Sequence, residues 1–114
     1  MDNEIRLRVL FYRTSSGKEP VREWLKALPI EDRKTIGDDL KTVQFGWPLG
    51  MPLIRKLEAN LWEVRSRLHQ RIARVIFTVE GNTMVLLHGF IKKSNKTPTA
   101  DLELARQRLK ELLE

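Results

Sequence analysis

The sequence predicts a small α+β domain in which helices cover one face of a single β-sheet. Three features lead to this class. Apolar residues alternate with polar ones near the N-terminus, three more alternating segments follow closely between residues 61 and 91, and other segments repeat apolar residues with a helical period. The chain of 114 residues is the size of one compact domain, so we expect residues 1–114 to form a single unit.

The N-terminal part predicts a strand and two helices. Apolar residues occupy every second position from Ile5 to Phe11, which indicates a strand over residues 4–12. A turn follows, and Pro20 suits the first position of a helix over residues 20–28. A second helix over about residues 30–45 has apolar residues at three-to-four spacing, and its polar composition places it on the surface.

The second half predicts a three-stranded antiparallel meander. Residues 46–52 contain two glycines and two prolines, which is typical of a loop. Strands are predicted over residues 61–67, 71–79 and 84–91, separated by short spacers. The spacer EGNT at residues 80–83 favours a hairpin turn, so consecutive strands should pair.

A C-terminal helix completes the predicted order of strand, helix, helix, three strands and helix. Its apolar residues repeat at helical spacing over residues 98–113. Thr97 is the predicted N-cap residue, with Pro98 in the first turn.

The charge distribution predicts one positive face. The formal net charge is +6, which favours acidic partners such as nucleic acid. Residues 54–96 contain nine lysines and arginines but only three acidic residues, so this region accounts for the whole net charge. The chain has no cysteine and therefore no disulfide or thiol chemistry. We expect a cytoplasmic protein, because no apolar run could span a membrane and the N-terminus lacks a secretory pattern.

Strand alternation predicts which basic side chains share a face. Arg65 and Arg74 should both lie on the open face of the sheet, opposite the apolar residues that meet the helices. The third meander strand should bring Lys92 and Lys93 to the same region. The alternative is that each arginine is an ordinary solvated or salt-bridged surface residue, and Glu63 on the same face could neutralise one of them.

Other site chemistry is not predicted. No His, Asp and Glu residues have the spacing of metal ligands, so we expect neither a metal nor a cofactor. No glycine-rich phosphate loop or serine nucleophile motif occurs. His88 is interpreted as a packed or hydrogen-bonded histidine rather than a catalytic one.

Four sequence segments together resemble a known family. They are LWEVR at residues 61–65, IARVIF at 72–77, LLHGFIKKSNKTP at 86–98 and SGKEPVREWLKALP at 16–29. In these segments the chain is similar to the phage-derived branch of the RelE/HigB-like toxins of bacterial type II toxin–antitoxin modules. One departure is Phe77, where the family often has tyrosine, and this makes a catalytic role for that position doubtful.

The resemblance implies a RelE-like fold, with a small antiparallel sheet, helices on one side and a basic concave face. It implies a metal-independent endoribonuclease that cleaves mRNA, usually on the ribosome. It also implies a cognate antitoxin, typically a small helix-turn-helix DNA-binding protein.

If the chain cleaves RNA in this way, its basic residues have expected roles in the reaction. RNA cleavage without a metal uses the 2′-hydroxyl as nucleophile, and the transition state gains negative charge on the phosphoryl oxygens. We expect Arg65 and Arg74 to clamp the scissile phosphate, and Lys92 and Lys93 to stabilise charge, protonate the leaving group or bind the backbone. Four further basic residues are expected to bind RNA: Lys56, Arg67, Arg71 and Lys96.

The sequence alone identifies neither the general base nor a single function. Glu63 and His88 are candidates for the base, and a neutral lysine among cationic neighbours is a third. A toxin of the same fold that resembles the gyrase-inhibiting ParE branch is an alternative function, since one fold can serve several targets. A nucleic-acid-binding module without catalysis is another.

Overall fold

The computed structural model describes residues 6–93 and 96–114. These residues form five strands and three helices, in the order β1 (Arg8–Phe11), α1 (Pro20–Ala27), α2 (Ile30–Gly46), β2 (Ile54–Glu58), β3 (Leu61–Leu68), β4 (Arg71–Glu80), β5 (Thr83–Lys92) and α3 (Thr99–Leu113). The predicted α+β class is confirmed. Ile5, at the start of the first predicted strand, lies outside the described residues.

The sheet is mixed, with the strand order β1-β5-β4-β3-β2. The predicted antiparallel meander is confirmed by the pairing of β3 with β4 and of β4 with β5. The N-terminal strand departs from a purely antiparallel sheet, because β1 runs parallel to β5 and pairs Arg8 with Thr83. A parallel pair cannot be joined by a tight turn, and here residues 12–82 form the long connection between the two strands.

The strand β2 was not predicted. It pairs antiparallel with β3 after a turn at Ala59 and Asn60, and Asn60 has a φ of 64°. The segment has only five residues, and its alternation follows a loop rich in proline and glycine, so the sequence pattern is weak. This strand matters for the site, because β2 forms the edge of the sheet beside β3 and contains Arg55.

Helices cover both faces of the sheet, so the prediction of helices on one face is wrong. The α1/α2 face packs Val21, Ile36 and Val43 against strand residues that include Val75 and Phe77. On the other side, which we call the α3 face, the apolar stripe of α3 packs against strand residues that include Ile76, Val85 and Leu87. The central strand β4 is therefore apolar on both sides, as is usual for a strand that is covered twice.

Gly89 of β5 provides the space for an aromatic ring of α1. A Cβ atom at this position would lie 2.4 Å from Cε3 of Trp24, far closer than any real Cβ contact. The glycine of the LHGF sequence thus lets the Trp24 ring approach the backbone of β5 closely, and any side chain here would push the ring and its helix away.

Tyr12 and Arg108 hold α3 against the end of β1. The Tyr12 hydroxyl donates a hydrogen bond to the Glu111 carboxylate, and Arg108 donates to the Leu87 carbonyl at 2.7 Å. The Arg108 guanidinium also lies 5.4 Å from the centre of the Tyr12 ring. The hydrogen bond to Glu111, together with burial, raises the pKa of Tyr12 above its usual value.

Replacing Gly89 with alanine should destabilise the protein by about 1–3 kcal/mol, because the added methyl group overlaps the Trp24 ring. Gly37→Ala is the matched control, since nothing lies within 4 Å of a Cβ atom at that position of α2. The control should be about 0.5–1 kcal/mol more stable than the parent, because alanine is the better helix residue. Urea unfolding measures both, and a Gly89→Ala protein as stable as the parent would contradict the packing described.

Alkaline pH should weaken the attachment of α3 through Tyr12. The pKa of Tyr12 is higher in the folded state, so the stabilisation is complete below the unfolded-state value near 10 and is lost as the pH rises through the folded-state value. The free energy of unfolding should therefore fall more steeply above about pH 10 in the parent than in Tyr12→Phe. Parallel pH curves for the two proteins would show that this hydroxyl does not contribute.

Candidate functional site

The strand register brings the predicted arginines together. Arg65 of β3 lies directly opposite Arg74 of β4, and Arg74 lies opposite Phe90 of β5. Residues opposite each other in an antiparallel pair point to the same side, so all three belong to the α3 face. The prediction that Arg65 and Arg74 share a face is confirmed.

Arg74 is completely buried, so its predicted position on an open surface is wrong. Its relative exposure is 0%, and its Nη1 donates a hydrogen bond of 2.6 Å to the Lys96 carbonyl. Its guanidinium lies 5.9 Å from the centre of the Phe90 ring. Burial lowers the pKa of Arg74, and the charge of Glu63 acts in the opposite direction. Residues 96–98 and the start of α3 cover this part of the face, which strand alternation alone could not show.

Glu63 supplies a buried negative charge beside the arginines. Its relative exposure is 0%, and it accepts a hydrogen bond of 2.8 Å from the Thr97 hydroxyl. Its Oε1 lies 3.8 Å from Nε of Arg65. Thr97 is therefore not the N-cap of α3 as predicted, because its hydroxyl is engaged with Glu63 and the cap position is Pro98.

His88 links β5 to the first turn of α3. Its Nε2 lies 2.6 Å from Oδ1 of Asp101, and its ring stacks on Phe90 with 5.5 Å between ring centres. The interpretation of His88 as a packed, hydrogen-bonded histidine is confirmed. Together with the Thr97–Glu63 hydrogen bond, this contact holds the covering segment to the sheet.

Beyond the covered region, two adjoining pockets lie near the β3–β4 turn, the first on the α3 face and the second around the end of the sheet. The first has a volume of about 400 Å³ and is lined by Met51, Pro52, Arg55, Arg65, Arg67 and Ile72. The second has a volume of about 290 Å³ and is lined by Arg67, Leu68, Gln70, Arg71, Ile72 and Lys93. They share Arg67 and Ile72, and together they are called the basic groove below.

The predicted basic residues are distributed unevenly around this groove. Arg65 has a side-chain exposure of 14%. Arg71 is bound to Asp32 of α2 at 3.0 Å, so part of its charge is neutralised. Lys92 is exposed and lies opposite Ile72, on the α3 face beside the groove, whereas Lys96 is exposed and contributes its carbonyl to Arg74.

Two other positions face away from the groove. Lys56 is paired with Trp62 in the β2–β3 register, and its Nζ lies 5.8 Å from the Trp62 ring centre. Phe77 is buried on the same α1/α2 face, in contact with the rings of Trp47 and Trp62. The structure therefore separates Lys56 from the predicted RNA-binding residues of the groove. It also places Phe77, where the family that the sequence resembles often has tyrosine, on the α1/α2 face.

Arg55 is the main site residue that the sequence did not predict. It is paired with Glu63 in the β2–β3 register, so it points to the α3 face, and it lines the first pocket. A strand assignment for residues 54–58 would have identified it, since alternation then separates Arg55 from Lys56. No comparable pattern predicts Met51 and Pro52, which reach the pocket from the preceding loop.

The described part of the chain contains no group of three or more potential metal-binding His, Asp or Glu side chains. Within the same residues, no helix is both long and apolar enough to cross a membrane.

Comparison with known protein families gives a match over most of the chain. The sequence profile of the family described as "Phage derived protein Gp49-like (DUF891)" matches residues 23–110. The match includes β2 to β5, so it contains the whole basic groove. No curated protein matches the sequence significantly.

Removing the charge of Glu63 should destabilise the protein strongly. Glu63→Gln keeps the shape of the side chain but removes the stronger of the two negative charges, Glu63 and Asp101, that act on the buried Arg74 guanidinium. Breaking a buried charge interaction typically costs about 3–5 kcal/mol. Glu58→Gln is the matched control, because Glu58 binds Arg106 at the protein surface and its loss should have a much smaller effect. Urea unfolding of both variants measures the difference, and equal losses would contradict a role for Glu63 in compensating the buried charge.

Proposed function

We propose that this chain, which belongs to the Gp49-like family of phage-derived proteins, is a toxin of a toxin–antitoxin system and that it cleaves mRNA. The proposed reaction is a metal-independent endoribonuclease reaction, usually on the ribosome, in the bacterial cytoplasm.

The observation that carries the proposal is the charge of the basic groove. Arg55, Arg65 and Arg67 surround one open pocket, and Arg67 and Lys93 line the next. Glu63, whose carboxylate lies 3.8 Å from Arg65, is fully buried and hydrogen-bonded to Thr97. The groove therefore presents mainly positive charge to a ligand, as a site for a phosphate backbone requires.

The reaction that fits this groove is transfer within the RNA strand. The 2′-hydroxyl oxygen forms a bond to the adjacent phosphorus, the bond from phosphorus to the 5′-oxygen breaks, and a cyclic phosphate and a free 5′-hydroxyl result. One proton leaves the 2′-hydroxyl and one reaches the departing oxygen. Fixed cations stabilise the negative charge that develops on the phosphoryl oxygens, and a guanidinium can bind two of them at once.

We assign Arg65 and Arg67 to the scissile phosphate. Both are on β3, two residues apart and on the same face, and both line the first pocket. Lys92, the last residue of β5, would protonate the leaving oxygen or bind the neighbouring backbone. Arg71 and Lys96 would add weaker contacts to the RNA backbone.

Arg74 has a different role from the one expected for it, because its burial keeps it from the substrate. We infer that it is a positioning residue. Its hydrogen bond to the Lys96 carbonyl holds this residue against the sheet, and its position opposite Arg65 limits where the Arg65 side chain can lie.

The proton acceptor is best sought among the lysines. Glu63 and His88 are both occupied, by Thr97 and Asp101 respectively, and neither lines the two pockets. Lys93 lines the second pocket and is our candidate for this role.

The proposed partners are mRNA, the ribosome and a small helix-turn-helix antitoxin. Expression of the chain in bacteria, with and without the small reading frame adjacent to its gene, tests this proposal. Growth arrest with cleaved transcripts, relieved by the neighbouring product, is the expected result. Arrest with intact transcripts and damaged DNA would instead indicate a ParE-like action on gyrase, and binding without cleavage on translating ribosomes would indicate a non-catalytic module.

Alanine at Arg65 should lower the cleavage rate by about 10²–10³, the usual effect of removing one group that stabilises transition-state charge. Lys56→Ala is the matched control, because it removes one positive charge from the opposite face of the same sheet edge, and it should cleave like the parent. Primer extension on transcripts from translating extracts measures both. Undiminished cleavage by Arg65→Ala, or equal losses in both variants, would refute the site assignment.

A further inference from the structure

The first pocket combines two kinds of lining. Among the described residues around it, Met51, Pro52 and Ile72 are apolar, whereas Arg55, Arg65 and Arg67 carry guanidinium groups. A guanidinium has five N–H donors and no acceptor, so the polar side chains here can donate hydrogen bonds but cannot accept them. A phosphate alone would not need the apolar part of the pocket. A flat ring with acceptor atoms along one edge would use both parts.

The two pockets also suggest how a strand would lie. Arg67 and Ile72 belong to both, so they form the boundary between the pockets, while Arg55 lines only the first. A phosphate near Arg67 would join a nucleotide in one pocket to a nucleotide in the other. The base in the first pocket would then rest on the apolar residues with its edge towards Arg55.

We propose that the first pocket binds an unpaired guanine base of single-stranded RNA and that Arg55 is the residue that selects it. Guanine presents two acceptors, O6 and N7, on one edge, and a guanidinium matches them with two parallel hydrogen bonds. Adenine presents an amino donor in place of O6, and this donor would face the donors of Arg55. Unpaired bases are the usual target of sequence-specific RNA recognition, since their edges are free. This inference rests on the proposed function, because it assigns the base beside the scissile phosphate.

Binding of a short RNA tests the proposal separately from cleavage. The probes are two 2′-O-methyl hexanucleotides of uridine, one with a single central guanosine and the other with a single central adenosine. They lack the 2′-hydroxyl nucleophile and cannot be cleaved by the proposed reaction. Fluorescence anisotropy should show about tenfold tighter binding of the guanosine probe. Equal affinities for the two probes would overturn the proposal.

Arg55→Lys identifies the residue responsible. It keeps the positive charge but replaces the planar fork with a single ammonium group, so the tenfold preference should disappear while the salt dependence of binding remains. Lys56→Ala, on the opposite face, should retain the preference. A preference that survives in Arg55→Lys would overturn the assignment, and thermal unfolding of each variant establishes that it is folded.

The same probes separate this inference from the proposed function. If the parent cleaves mRNA but binds both probes equally, base selection in this pocket is refuted and the ribonuclease proposal stands. If the parent prefers the guanosine probe but cleaves no transcript on ribosomes, the pocket is supported and the ribonuclease proposal fails.

Discussion

The burial of the Arg74 guanidinium organises the α3 face of the sheet. A buried charge costs several kcal/mol unless nearby groups compensate it. Here Glu63 supplies the opposite charge, the Lys96 carbonyl accepts a hydrogen bond, and the ring of Phe90 lies beneath the guanidinium. Two of these groups are on neighbouring strands, and the third lies just before α3. Residues 96–98, which cover this part of the sheet, are thus held there partly by the buried Arg74 guanidinium.

The same arrangement determines where the sheet stays open. Along β3, Glu63 is buried, Arg65 is largely buried and Arg67 is exposed, so accessibility increases towards the β3–β4 turn. Opposite them, Arg74 is buried while Ile72 lines the pockets. The basic groove therefore begins where α3 and residues 96–98 no longer cover the sheet. Its positive charge follows from the inward position of Glu63 as much as from the number of arginines.

Local sequence patterns predicted most of the fold but only part of the site. Alternation in β3 and β4 correctly placed Arg65 and Arg74 on one face, because strand geometry depends only on neighbouring residues. The position of α3 depends on contacts between distant segments, so the burial of Arg74 was not predicted. One signal was available: β4 has apolar residues at both odd and even positions, such as Val75 and Ile76, which indicates a strand covered on both faces. Arg55 was missed because five residues after a loop gave too little pattern.

The parallel pairing of β1 with β5 has a consequence for how the chain folds during synthesis. Strands β2 to β5 are joined by short turns and can pair as soon as each is made, whereas β1 must wait until residues 83–86 have been added. Thr97 and Asp101, which complete the polar contacts of the α3 face, come later still. Contacts between residues so far apart in sequence slow folding, because a long loop must close before they form. A chain that ends before α3 would leave the apolar surface of Ile76, Val85 and Leu87 uncovered, a surface prone to aggregation.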